Sequence, residues 1–184
     1  MSRPEKSTNS GRRNKLTLRE IAVFGMLGSM MYVSKIIMEA FPNVHLIGVF
    51  IVAETVVFGW KALYPIYCFV FITGAANGFN LWWVPYLYIW TVLWGMTMLL
   101  PKKMKPVVAV PVYAAVCSLH GFAYGTLYAP FQALAFGLDL KGMIAWIAAG
   151  LPWDAVHGVS NLIAGLILIL PLVKIMDVSM KLGR

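Results

Sequence analysis

The sequence predicts an all-α membrane protein, a six-transmembrane-helix bundle with N and C termini cytoplasmic, and three observations carry that prediction. The first is composition: 60% of the 184 residues are hydrophobic and 12% are charged. A soluble domain carries about 25% charged residues, so this balance belongs to an integral membrane protein. The second is punctuation. Apolar runs near the length needed to cross about 30 Å of hydrocarbon are divided by Pro, Asn, Gly and Lys. The third is the placement of the basic residues, which settles orientation.

The predicted spans lie near 18–38, 45–60, 62–77, 83–100, 107–130 and 153–173. A polar segment, 1–15, rich in Ser and Asn and lacking an apolar core, precedes the first; it reads as a disordered basic cytoplasmic tail rather than a cleavable signal. Pro42-Asn43 separates the first span from the second. The second and third are short and joined only by Trp60-Lys61, which makes a tight helical hairpin. Asn77-Gly-Phe-Asn80 and Pro101-Lys-Lys-Met-Lys-Pro106 bound the fourth. The stretch 131–150, with Leu138-Asp-Leu-Lys-Gly142 in its middle, reads as an amphipathic helix on the membrane surface, with a seventh span as the competing reading. The transmembrane domain then covers 16–176, and 177–184 forms a second cytoplasmic tail.

With both ends inside, Arg3, Lys6, Arg12, Arg13, Lys15, Arg19, Lys61, Lys102, Lys103, Lys105, Lys174, Lys181 and Arg184 are cytoplasmic, and only Lys35 and Lys141 fall toward the outer face. The positive-inside rule therefore explains a basic balance that in a soluble chain would point to nucleic acid, so no nucleic-acid partner is expected. A seventh span would put the two ends on opposite sides. Cys68 and Cys117 both lie in apolar runs, reading as packed thiols rather than a disulfide or a metal site.

The polar residues concentrate on the outer half. Glu39, Asn43 and His45 sit in the first outer loop. Asn77, Asn80, Trp82, Trp83, Tyr86, Tyr88 and Trp90 sit at and just inside the second. Tyr124 and Tyr128 occupy the outer end of the fifth span, with His120 one turn deeper. Asp154, His157 and Asn161, spaced i, i+3, i+7, form one polar line about 10 Å long on the sixth.

Aromatic belts form at membrane interfaces anyway. His120, His157 and Asn161 lie too deep for that explanation. They are either interhelical hydrogen bonds, worth about 0.6 kcal/mol each in membranes, or polar points in an aromatic-lined pocket open to the outside. The candidate substrate-binding residues are thus His45, Asn77, Asn80, Trp82, Trp83, Tyr86, His120, Tyr124, Tyr128, Asp154, His157 and Asn161. No metal ligand set is expected.

Glu54 sits mid-span, where an unpaired carboxylate costs several kcal/mol. Lys35 is a candidate partner, although Lys35 and Glu39 are also spaced for an i, i+4 pair. Structural glue, a pocket floor and a proton-coupling carboxylate all remain open for Glu54. Small residues mark close helix approach. Gly121 and Gly125 form a GxxxG read as intramolecular packing, whereas Ala22, Gly25 and Ser29 form a stripe on the cytoplasmic half of the first span that reads as a docking surface for another membrane protein.

The six spans, the basic entry to the first helix and its small-residue stripe together resemble the substrate-binding S components of energy-coupling factor (ECF) vitamin transporters. The resemblance covers 16–174. Its most specific piece is Gly150-Leu-Pro-Trp-Asp-Ala-Val-His-Gly-Val-Ser-Asn161 followed by Pro171-Leu172, similar to the last helix of several S components. The stripe departs from the family's pair of alanines four apart, with Gly25 and Ser29 in their place.

The resemblance implies a prokaryotic, multi-pass cell-membrane subunit that captures a scarce vitamin from outside. It would work with a transmembrane coupling subunit and two ATPase subunits. Those partners bind ATP; no cofactor is expected in this chain, which has no G-x-x-x-x-G-K-[ST] loop. The strip from Asn77 to Trp90 resembles the cobalamin-binding type, whose large corrinoid suits wide aromatic surfaces, although a flavin, pterin or deazapurine suits them equally. A solitary ion- or proton-coupled transporter of a small aromatic solute, resting on Glu54 and the histidines, is the alternative. An enzyme is not expected, because G-x-S-x-G, H-E-x-x-H and paired central aspartates are all missing from the sequence.

Overall fold

The computed structural model describes residues 16–181. The tails expected at 1–15 and 182–184 lie outside those residues. Seven α-helices make up the described chain: α1 (Leu18–Ile37), α2 (Ile47–Phe58), α3 (Leu63–Asn77), α4 (Tyr86–Met98), α5 (Pro106–Phe122), α6 (Tyr124–Phe136) and α7 (Leu140–Lys181). Among the described residues there is no strand. Four helical stretches are long and apolar enough to cross a membrane: Leu18–Ala40, Ile47–Asn77, Pro106–Phe136 and Leu140–Lys181.

Local chemistry sets the ends of these helices. Thr17 caps α1, its hydroxyl accepting from the Glu20 amide while the Glu20 carboxylate takes the Thr17 amide. The 3₁₀ turn Gly59–Ala62 divides the Ile47–Asn77 stretch, with Gly59 at φ +59°, a backbone state that favours glycine. Phe24 packs on both Phe58 and Tyr64, and Gly28 lies against Pro65 and Cys68. So the chain reverses at 59–62 and α3 runs beside α1 in the same direction, as the hairpin expected there requires.

The centre belongs to α2. Every residue from Ile47 to Thr55 is buried, the signature of a helix enclosed on all sides. Helices α4, α5 and α7 pack around it. The tightest contact is α5 on α7, antiparallel and glycine-mediated: a Cβ on Gly121 would lie 2.9 Å from the Gly158 Cα. The Ser118 hydroxyl donates to the Gly158 carbonyl across the same seam. Large apolar side chains such as Val107, Leu119, Ile163, Ile167 and Ile175 stand exposed on the outside. An aqueous surface would not hold so many; a lipid-facing one does.

At one end of the bundle the Arg19 guanidinium donates to the Ser179 carbonyl, and Lys61 pairs with Glu20 at 2.5 Å. The start of α1 and the end of α7 therefore meet.

The sequence reading departs from the structure between 123 and 153. Helix α5 stops at Phe122, α6 restarts at Tyr124, and Gly137 (φ +65°) closes α6 before α7 begins at Leu140. The segment read as a separate surface helix is instead a helical hairpin of α6 and the first turns of α7. Helix α7 runs unbroken for 42 residues through Pro152 and Pro171, about 63 Å at 1.5 Å per residue. That is twice the hydrocarbon thickness. It also continues through 177–181, read above as tail.

Candidate functional site: an aromatic cleft over a buried imidazole cluster

The three histidines of the chain come from three elements and gather in one cluster with Trp90 and Tyr124. His45, in the α1–α2 connection, packs edge-on against His157 of α7 with ring centroids 4.4 Å apart. Trp90 of α4 lies 6.0 Å from His45 and 5.9 Å from His120 of α5. Tyr124, the first residue of α6, covers the group at 5.0 Å from His157, 5.7 Å from Trp90 and 6.3 Å from His120. Asn161 lies one turn further along α7 and donates to the Cys117 carbonyl. Asp154, His157 and Asn161 all lie on the buried face of α7, at 6%, 2% and 0% exposed.

What distinguishes this cluster is its polar deficit. His45 Nδ1, Trp90 Nε1, His120 Nδ1, His157 Nε2 and Asn161 Oδ1 are all shielded and have no hydrogen-bond partner among the described residues. Each such atom costs about 1–3 kcal/mol, and a native core holds only a few per hundred residues. Five in one cluster call for a reason. Around His45, which lies between the membrane-spanning stretches, burial and then the neighbouring His120 pull the imidazole down from 6.5 to about 4.

Next to the cluster opens a cleft of about 480 Å³, lined by Pro42, Asn43, Tyr124, Gly125, Tyr128, Trp146, Gly150, Trp153 and Asp154. Tyr124 faces both: it lines the cleft and packs on the imidazoles. The cleft wall is built by the α6–α7 hairpin, with Tyr128 stacked on Trp146 at 5.9 Å. The hairpin puts the cleft at the opposite end from the Arg19–Ser179 contact.

The remaining predicted residues divide. Tyr86 joins the aromatic group, 5.4 Å from Trp90, and Trp82 packs on Tyr86. Tyr128 also donates to the Trp82 carbonyl. Asp154 lines the cleft, yet both carboxylate oxygens accept from the Gly125 amide at 3.1 Å, so it fixes the start of α6. Trp83 turns away from the cluster, donating to the Val70 carbonyl and packing on Phe79. Asn77 at the end of α3 and Asn80 in the α3–α4 connection stand exposed and are not brought to the cluster. Trp146 is a cleft residue that sequence reasoning missed. Its only signal was an aromatic residue in a stretch assigned to the membrane surface.

Glu54 is fully buried and neither oxygen has a partner among the described residues. The pairing with Lys35 considered from sequence does not form. Gly121 and Gly125 serve packing within the chain, the latter against Asp154. On α1, Ala22 and Ser29 are exposed and a Cβ on Gly25 would meet nothing within 4 Å. Among the described residues no group of three or more His, Cys, Asp or Glu could hold a metal ion. Comparison with protein families, with curated proteins and with solved structures finds no match.

Proposed function

We propose that this chain is the substrate-binding membrane subunit of an ECF-type importer, taking a vitamin from outside and handing it to an ATPase-driven coupling module. One observation carries the reading: five shielded polar atoms without partners gather directly beneath an aromatic cleft. A ligand that supplies the missing hydrogen bonds accounts for a deficit that folding alone would not retain.

The importer assignment adds the topology. On this reading the chain has six spans with both ends cytoplasmic, so that the cleft faces outside and the stripe of Ala22, Gly25 and Ser29 lies on the inner half of α1. That stripe is uncovered, as a docking surface for the coupling subunit should be. ATP then belongs to the two partner ATPases.

For the cargo, a corrinoid is the reading drawn from the resemblance, with its ring edge held by Tyr124, Tyr128 and Trp146 and its amide fringe by the cluster. A whole corrinoid is larger than the cleft. The volume of about 480 Å³ favours a compact fused heterocycle such as a flavin, pterin or deazapurine.

Isolation of the tagged chain from its native membrane tests the assignment. It should bring down one multi-pass partner, two ATPase subunits and one vitamin. Recovery of the chain alone, with uptake in liposomes that contain no ATPase, would instead favour a solitary coupled transporter. The unpartnered Glu54 carboxyl is the observation behind that second reading.

A further inference from the structure

Tyr124 lines the open cleft and packs on Trp90, His120 and His157, and the unpaired polar atoms of the cluster are shielded. His120 Nε2 lies 3.0 Å from the Ile89 carbonyl. A carbonyl only accepts, so Nε2 carries the hydrogen, and in a neutral ring Nδ1 is left as a bare acceptor. Asn161 spends its amino group on the Cys117 carbonyl, leaving Oδ1 as a second bare acceptor. Trp90 Nε1 is a donor with nothing to donate to. His45 Nδ1 and His157 Nε2 take either role according to tautomer. Among the described residues no Lys or Arg lines the cleft, and the one carboxylate there, Asp154, is already held by the Gly125 amide.

Resting on the ligand-capture reading above, we infer that Tyr124 is the movable cover of an occluded site that takes a neutral, planar heterocycle bearing a lactam edge, a ring N–H beside a ring carbonyl. Such an edge donates to His120 Nδ1 or Asn161 Oδ1 and accepts from Trp90 Nε1. An anion finds no cation there and a cation finds no free carboxylate, so charged rings are excluded. The tyrosine swings out to admit the ligand, and its ring then closes over the ligand's face. A site built around hydrogen bonds rejects analogues that leave its own groups unpaired far more strongly than it rejects a change in apolar bulk.

Two measurements on the isolated full chain test this, and neither needs an ATPase, so they stand or fall apart from the importer assignment. The first is histidine modification by diethyl pyrocarbonate, read peptide by peptide; the chain holds only three histidines. His120 and His157 should be protected in the unaltered protein and in Tyr124→Phe, and should react at least ten times faster in Tyr124→Ala. The second is titration of the unaltered protein with lumazine and alloxazine beside their N-methylated derivatives, nicotinate and thiamin. Binding of a parent lactam, weakened at least tenfold by N-methylation, with nicotinate and thiamin silent, is the expected result. Continued protection of His120 and His157 in a Tyr124→Ala protein that still melts cooperatively would overturn the cover. Indifference to N-methylation, tight binding of either charged ring, or silence of both lactams would overturn the ligand class. Should Tyr124→Ala not fold, the titration of the unaltered protein decides.

Discussion

His157 carries the tension between stability and function that runs through this protein. It is 2% exposed, it packs on His45 and Tyr124, and its Nε2 has no partner among the described residues. Replacing an unsatisfied buried polar group by an apolar one of similar size removes a penalty. His157→Leu should therefore raise the melting temperature of the ligand-free protein, by the equivalent of about 1 kcal/mol, while abolishing ligand binding; a fall in both would mark the histidine as structural. His45 supplies a pH signature. Its folded value near 4 lies below the ordinary 6.5, so the unfolded chain takes up the proton first. The contribution to stability is complete above about 6.5 and is lost as pH falls toward 4. Melting curves in detergent should fall across that window, and His45→Gln should flatten the fall. These residues were legible from sequence because histidine and asparagine in an apolar run are rare and expensive. Trp83 was not: an indole at a membrane interface looks the same whether its N–H meets a ligand or, as here, the Val70 carbonyl.

Helices α5 and α7 show what the helical pattern reveals and what it hides. Glycines at 121, 158 and 165 let the two backbones approach, and small residues spaced along an apolar run advertise such contacts. Beside the Asn161 amide, the neighbour of Gly121 is the Gly158 backbone, which cannot step aside. Gly121→Ala should therefore cost about 1–3 kcal/mol by forcing the pair apart, measured as a lower denaturation midpoint. Gly25→Ala should leave that midpoint unchanged, since its Cβ would enter open space. Gly25→Leu should spare the fold and ligand binding yet weaken recovery of partner subunits, whereas Asn161→Ala should do the reverse. The α6–α7 hairpin escaped the sequence because the predicted fifth span ends at 130 and the sixth starts at 153, beside Pro130, Gly150 and Pro152. Inside the structure all three sit within helices. Proline is tolerated there when neighbouring groups take up the freed carbonyls. Continuous apolar composition on both sides of Pro152 also left no polar gap to separate a surface segment from a span.

The described residues form a lipid-facing bundle around the enclosed Ile47–Thr55 part of α2, with the start of α1 and the end of α7 drawn together at one pole and an aromatic cleft at the other. That arrangement makes a topological prediction. With Cys68 and Cys117 replaced by Ala, a cysteine at Lys181 should be labelled from the cytoplasmic side and one at Asp139, in the turn between α6 and α7, from the outside. Labelling of both from one side would reverse or remove the outward cleft. On the proposed function, the unpaired atoms of the imidazole cluster are kept for a solute. Isothermal titration of the purified protein and of His157→Ala against a panel of vitamins, cobalamin and cobinamide among them, tests it most directly. One compound should bind with measurable heat to the unaltered protein and bind at least tenfold more weakly to the variant. Equal binding to both proteins, or no heat from any vitamin, would contradict it.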